Sequence, residues 1–399
     1  MFNLHREIWW KKPDLQTDKD PNRKTSWLEL FYDLIFVSLI ANSSHIFANN
    51  LSLQGFRDFI ILFTSVWLLW ENSTFYNERF EVNDVRHRIF TFCKMIPLAL
   101  LAYSMHDPLK SQYLLFVCSF LAVRMILVYM WLSAGKANAS VRAHTIQSSC
   151  IHIGSSSLWI ASLFLPNSGK FPLLFIAIAI DYLVSLGTLR FTDRLPQISR
   201  SHLPERFGLF TLLVIAEIIM GVISGASSQH QLTWKTGILS IQGLFLAFII
   251  WWSYFDLIIF VSFKQTMINI IIWTRLHLPL TISITCMGTS MLHLISRTHQ
   301  SIANYHWLLA GSVSCFLFIL FLLIIVSDHS SAANEMNLEF QHRRKVLIYG
   351  NLFASLISLL SGFIAKDLPS TVYISIFIFL ILFQCVHGLY IWVRAQQGK

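Results

Sequence analysis

Glu29 and Asp33 sit one helical turn apart inside an apolar stretch, Trp27-Leu-Glu-Leu-Phe-Tyr-Asp-Leu-Ile-Phe-Val37, that runs on to about Phe47. A stretch of this length crosses a bilayer as a helix. On that helix the two carboxylates share a face with Phe36, Ile40, Ser43 and Ser44. An acid at mid-bilayer costs about 3 kcal/mol on insertion scales, and less near the interface, so it faces a partner or water inside the protein. The chemistry on offer is the binding and release of protons, ions or a small polar solute. Each position also has a plainer reading. Glu29 fits a first-turn acid favoured by the helix dipole, and Asp33 fits an ion pair with a neighbouring helix.

Other residues extend the set. Arg124 falls in the middle of an apolar run and requires a carboxylate, for which Asp33 is the natural candidate. Glu217 is the most deeply placed acid of the second half of the chain; a desolvated carboxyl favours its neutral form, which suits proton binding. Glu71 follows Trp67, and Asp256 follows Trp252, by one turn. Both also fit acids reaching toward the cytoplasmic interface. Glu205 precedes Phe207 as Glu29 precedes Phe31. The candidate ion- or substrate-binding residues are therefore Glu29, Asp33, Phe36, Glu71, Arg124, Glu205, Glu217 and Asp256.

The elements that must hold these groups follow from composition. With 55% hydrophobic and 13% charged residues over 399 positions, an ordinary soluble enzyme is excluded. An all-α, polytopic membrane protein of about twelve spans is expected. Hydropathy places them at 27–48, 58–76, 89–106, 112–133, 146–165, 171–189, 207–225, 237–263, 276–296, 304–326, 346–365 and 370–393. The segment from Lys264 to Trp273 fits an interfacial helix. Basic residues alternate with this count. The N-terminal tail and the loops with Arg79/Arg86/Arg88, Lys136/Arg142, Arg190 to Arg206, Lys264/Arg275 and Arg343/Arg344/Lys345 are basic; the opposite loops have one Lys or Arg each. Positive-inside topology then puts both termini in the cytoplasm. The net charge of +9 calls for anionic lipid headgroups at the cytoplasmic face and for no nucleic acid. The six cysteines lie in apolar stretches without metal spacing, so buried thiols and no metal or cofactor are expected.

The chain divides into a basic cytoplasmic tail (1–26), a first six-helix half (27–190), a cytoplasmic loop (191–206) and a second six-helix half (207–399). The matching Glu-x-Phe and Trp-to-acid spacings suggest a duplicated unit, a layout that transporters use with the site between halves.

Three segments carry a resemblance: Trp27-Leu-Glu-Leu-Phe-Tyr-Asp-Leu-Ile-Phe-Val37, His202-Leu-Pro-Glu205-Arg-Phe-Gly-Leu-Phe-Thr-Leu-Leu-Val-Ile-Ala-Glu217, and Trp251-Trp-Ser-Tyr-Phe-Asp256. In this order they resemble the bacterial low temperature requirement protein A family across nearly the whole chain. Ala216 stands where that pattern has Gly, leaving the acid in place. The resemblance implies a multi-pass protein of the bacterial inner membrane and no defined chemistry. Phe31-Tyr-Asp33 is also similar to the Phe-Ser-Asp motif in the first helix of potassium channels of lysosomes and bacteria. Here Tyr32 replaces the Ser, and Phe207-Gly-Leu209 of the second half lacks the Asp.

The function expected is secondary transport of a small solute, coupled to protons through buried carboxylates. An ion channel is one alternative, and a membrane enzyme or lipid-handling protein another. No phosphate loop, HExxH, GxSxG or paired-carboxylate metal motif appears. The partners are membrane lipids and an unidentified small solute or ion, and an oligomer is compatible with this reading.

Overall fold

Ser26 opens the first helix of the computed structural model with a reciprocal cap. Its hydroxyl accepts from the Glu29 backbone N–H, and the Glu29 carboxylate accepts from the Ser26 backbone N–H at 3.0 Å. The structure describes residues 13, 24–80, 84–187, 198–199, 201–229, 231, 233–259, 262–263, 266–296, 302–328, 338–364 and 368–397.

Among these, twelve helices succeed one another: α1 (Trp27–Asn49), α2 (Leu53–Phe80), α3 (Val85–Ser104), α4 (Tyr113–Ala137), α5 (Arg142–Ser162), α6 (Asn167–Gly187), α7 (His202–Ser227), α8 (Trp234–Ile259), α9 (Met267–Ser296), α10 (Ile302–Val326), α11 (Leu338–Ile364) and α12 (Ser370–Gln397). A two-residue antiparallel bridge, Ser262–Phe263 with Ser327–Asp328, is the one strand pairing among the described residues.

Ten of the helices are long and apolar enough to cross a membrane. The other two, α3 and α5, have 20 and 21 residues, about 30 Å at the rise of an α-helix. They miss on composition because they turn their polar residues inward. In α3, Arg86, His87, Thr91 and Lys94 are buried while Ile89, Phe92 and Ile96 face out. In α5, Thr145, Ser149, His152, Ser155 and Ser156 are buried while Ile146, Ile153 and Ile160 face out. Apolar outside and polar inside is what lipid as solvent selects, and the chain is an all-α multi-pass membrane protein.

The chain forms two compact units, Met1–Arg206 and Phe207–Lys399. In the first, α1 packs on α2 and α3, the helices α3 to α6 pack in succession, and α6 returns to α2. In the second, α9 to α12 pack in succession and α12 returns to α8. Gly221 on α7 meets Gly288 on α9 so closely that a Cβ at Gly221 would lie 2.2 Å from the Gly288 carbonyl oxygen. Backbones approach this closely only where side chains are absent. The contact fixes Glu217, one turn earlier on α7: a Cβ at Gly288 would lie 2.6 Å from its carbonyl oxygen.

Several boundaries differ from the sequence expectation. Residues 202–206, read as loop, form the start of α7. The helix expected at 276–296 begins at Met267, so the apolar run 267–273 is its first part and Arg275 lies buried within it. Arg79 and Arg86, assigned to a loop by topology, are likewise helical and buried. Only Cys286 and Cys385 are buried thiols; Cys118 and Cys150 lie on outward faces. The loop basic residues 190–200 and Lys264 lie outside the described residues.

Candidate functional site

The acids of α1 meet the bases of α7. His202 and Arg206, one turn apart on α7, face Glu29 and Asp33, one turn apart on α1. All four belong to the unit Met1–Arg206. Arg206 grips Asp33 with both terminal nitrogens: Nη1 donates to Oδ2 at 2.8 Å and Nη2 to Oδ1 at 3.0 Å. Trp70 Nε1 adds a third donor to Asp33 at 3.0 Å, and the guanidinium lies 5.9 Å from the Trp70 ring centre. A planar fork on a carboxylate is the strong form of this interaction. Arg206 Nε also lies 3.6 Å from Glu29 Oε1, which accepts from Asn77 Nδ2 at 3.2 Å.

His202 stands between two carboxylates. Its Nδ1 lies 2.5 Å from Glu78 Oε2, and its Nε2 lies 3.3 Å from Glu29 Oε2. The other Glu78 oxygen accepts from the Ser199 backbone N–H at 2.7 Å. The imidazole is fully buried, as are Asp33 and Arg206, and Glu29 and Glu78 nearly so. Ionised carboxylates only accept, so an imidazole bonded to both from its two nitrogens must donate from each. Either the ring is an imidazolium or one carboxyl carries the proton; in both cases Glu29, His202 and Glu78 share one proton beyond the neutral ring.

Beside this cluster, Lys94 of α3 donates to Ser73 of α2 at 2.7 Å and lies 4.4 Å from the Tyr32 ring centre. Phe36 is fully buried, with its ring edge-on to Tyr32 at 5.1 Å.

Arg124 has a partner other than the one expected. It pairs with Asp181 of α6, and its Nη1 donates to Ser155 of α5 at 2.8 Å. Asp33 is already held by Arg206, so the expected Asp33–Arg124 pair does not form. Asp181 accepts from Ser155 Oγ at 2.7 Å and lies 3.2 Å from His152 Nδ1. On the far side of the ring, His152 Nε2 is 2.8 Å from Asn72 Nδ2, and Asn72 Oδ1 accepts from Trp131 Nε1 at 2.8 Å.

Glu71 is buried on α2, one residue from Asn72. Glu205 accepts from the Thr25 backbone N–H at 3.0 Å. In the second unit, Asp256 accepts from Trp252 Nε1 at 2.6 Å, and Glu217 is buried on α7 with its backbone against Gly288. A further chain there runs from Thr211 through the Tyr254 hydroxyl, at 3.2 Å, to His277 Nε2 at 3.0 Å. No group of three or more His, Cys, Asp or Glu among the described residues is placed to hold a metal.

Sequence reasoning missed His202, Arg206, Glu78 and Asn77, and Asp181 carries no sequence pattern that marks it. The His202-x-x-x-Arg206 spacing was the available signal, matching the i, i+4 spacing of the acids. Arg206 was instead explained by charge topology.

Comparison with known proteins supports the sequence resemblance. The chain is similar to the uncharacterized protein RA0937 of Rhizobium meliloti (strain 1021), at 23% identity over 251 residues. That match covers 60% of this chain and 60% of the relative, so the chain spans less than two thirds of that protein's length. The profile described as bacterial low temperature requirement A protein matches residues 24–383, a range that takes in α1 through the first half of α12. The chain belongs to the bacterial low temperature requirement A protein family.

Proposed function

We propose that this protein is a secondary transporter of a small solute in the bacterial cytoplasmic membrane, coupled to protons through Glu29, His202 and Glu78. The observation that carries the reading is the fully buried imidazole with a carboxylate at each nitrogen. Ionisable groups kept inside membrane helices mark proton or ion pathways. A shared proton there has a direct mechanical consequence. With the proton present, His202 donates to both α1 and α2. Without it, one ring nitrogen presents a lone pair to a carboxylate, and the start of α7 is pushed from its seat. Protonation thereby selects between two seatings of one helix end, which is the element that coupled transport requires.

Asp33 supports this reading over a channel. A pore-lining acid attracts cations with its free charge, whereas the Asp33 carboxylate is neutralised by a two-pronged arginine. Arg79, Arg86 and Arg275 are buried rather than displayed, which weighs against a headgroup-binding surface built from them, while Arg88, Lys136 and Arg142 are exposed and suit anionic lipid.

The test is a solute screen on purified protein in proteoliposomes, with uptake read with and without an inward pH gradient. Saturable uptake of one solute class that requires the gradient is expected. Steady, unsaturating current down a potassium gradient, indifferent to pH, would establish the channel instead.

A further inference from the structure

His152 lies in the other buried network, and its hydrogen bonds assign its proton by elimination. The indole of Trp131 can only donate, so the Asn72 atom facing it, 2.8 Å away, is the amide oxygen. The Asn72 atom facing His152 Nε2, also at 2.8 Å, is then the NH2 group, which can only donate. His152 Nε2 is therefore an acceptor, and the ring proton lies on Nδ1, directed at Asp181. Asp181 is held in turn by Ser155 and Arg124. The result is one directional chain, Trp131 to Asn72 to His152 to Asp181, running across α4, α2, α5 and α6.

His202 is bonded differently. That ring has carboxylates at both nitrogens and is surrounded for a proton already present. The ring of His152 has a carboxylate at one nitrogen and, at the other, a lone pair that accepts from a reversible amide. We propose that His152 is a second proton-binding site, which takes its proton at Nε2 by reversal of the Asn72 amide.

The incoming proton forms an N–H bond at Nε2 and gives an imidazolium whose charge sits beside the Asp181 carboxylate. Asn72 turns through half a rotation so that its oxygen accepts from Nε2. Its NH2 then confronts the Trp131 N–H, and that hydrogen bond is lost. Proton arrival on α5 is thus reported on α4. The groups facing His152 are Asn72 from α2 and Asp181 from α6; α4 presents Arg124 to Asp181 and Trp131 to Asn72. The buried polar neighbours within one turn along its own helix, Ser148, Ser149, Ser155 and Ser156, are hydroxyls. The proposal holds whether or not the chain moves a solute, because it concerns protonation alone.

The experiment is a pH titration of full-length protein in lipid nanodiscs, labelled with nitrogen-15 at histidine and at the tryptophan indole, with His152→Gln and Trp131→Phe used to assign the signals. At high pH, His152 is expected to show a protonated Nδ1 and a bare Nε2. As pH falls, Nε2 becomes protonated and the Trp131 N–H signal moves with the same midpoint. In Asn72→Leu, His152 still titrates while the Trp131 signal no longer follows. A ring doubly protonated across the whole range would overturn the proposal. So would a Trp131 signal indifferent to His152 in the wild type.

Discussion

Replacing Arg206 by methionine is expected to destabilise the protein by about 3–5 kcal/mol, the usual result of removing one partner from a buried ion pair. Arg206 is fully buried, and it supplies two hydrogen bonds to Asp33 and a positive charge within 3.6 Å of Glu29. Without it, both carboxylates keep their desolvation cost and lose their main counter-charge. The loss should be partly recovered by pairing the change with Asp33→Asn, which removes the stranded charge while Trp70 still has an oxygen to bond. The midpoint of unfolding in detergent, for both single variants and the double, gives the coupling energy. Additive effects would mean that Arg206 stabilises the unit through packing, for instance over Trp70, and not through Asp33.

The second large effect is expected at Asp181. Asp181→Leu strands Arg124 among apolar neighbours with Ser155 as its remaining hydrogen-bond partner, and it takes the acceptor away from His152 Nδ1. A loss of about 3–5 kcal/mol is predicted. The apolar double variant Asp181→Leu/Arg124→Leu should recover most of it, because an apolar pair in a membrane interior needs no counter-charge. Detergent unfolding midpoints again provide the measurement. A double variant no better than Asp181→Leu would show that the pair has a structural role beyond charge compensation.

The fold was legible because lipid imposes a coarse and strong rule. Twelve helices could be read from hydropathy and from alternating basic loops, and ten are apolar enough to announce themselves as spans. α3 and α5 show why composition alone falls short: their inward polar faces dilute the hydropathy that marks a span. The site was half legible. Glu29 and Asp33 stand out because acids in an apolar helix are costly. Their partners do not stand out. Arg206 and Arg79 lie near helix ends, and Arg275 just before the span expected at 276–296, where positive-inside topology already explains an arginine, so the sequence offers no second reason to notice them. Asp181 has no neighbouring pattern, and its role depends on an arginine two helices away. Pairing across helices is a fact of packing, and hydropathy is blind to it. Glu29 also serves two purposes at once: the Ser26-x-x-Glu29 cap and the contact with His202 use the same carboxylate.

The most direct test of the shared proton is His202→Gln, measured by two assays on the same proteoliposomes once a transported solute is known. Glutamine keeps a polar group of similar reach but cannot hold the shared proton. Uptake driven by a pH gradient is predicted to fall at least tenfold, while exchange of labelled for unlabelled solute at equal pH continues. Gradient-driven uptake equal to that of the wild type would contradict the assignment of the coupling proton to Glu29, His202 and Glu78.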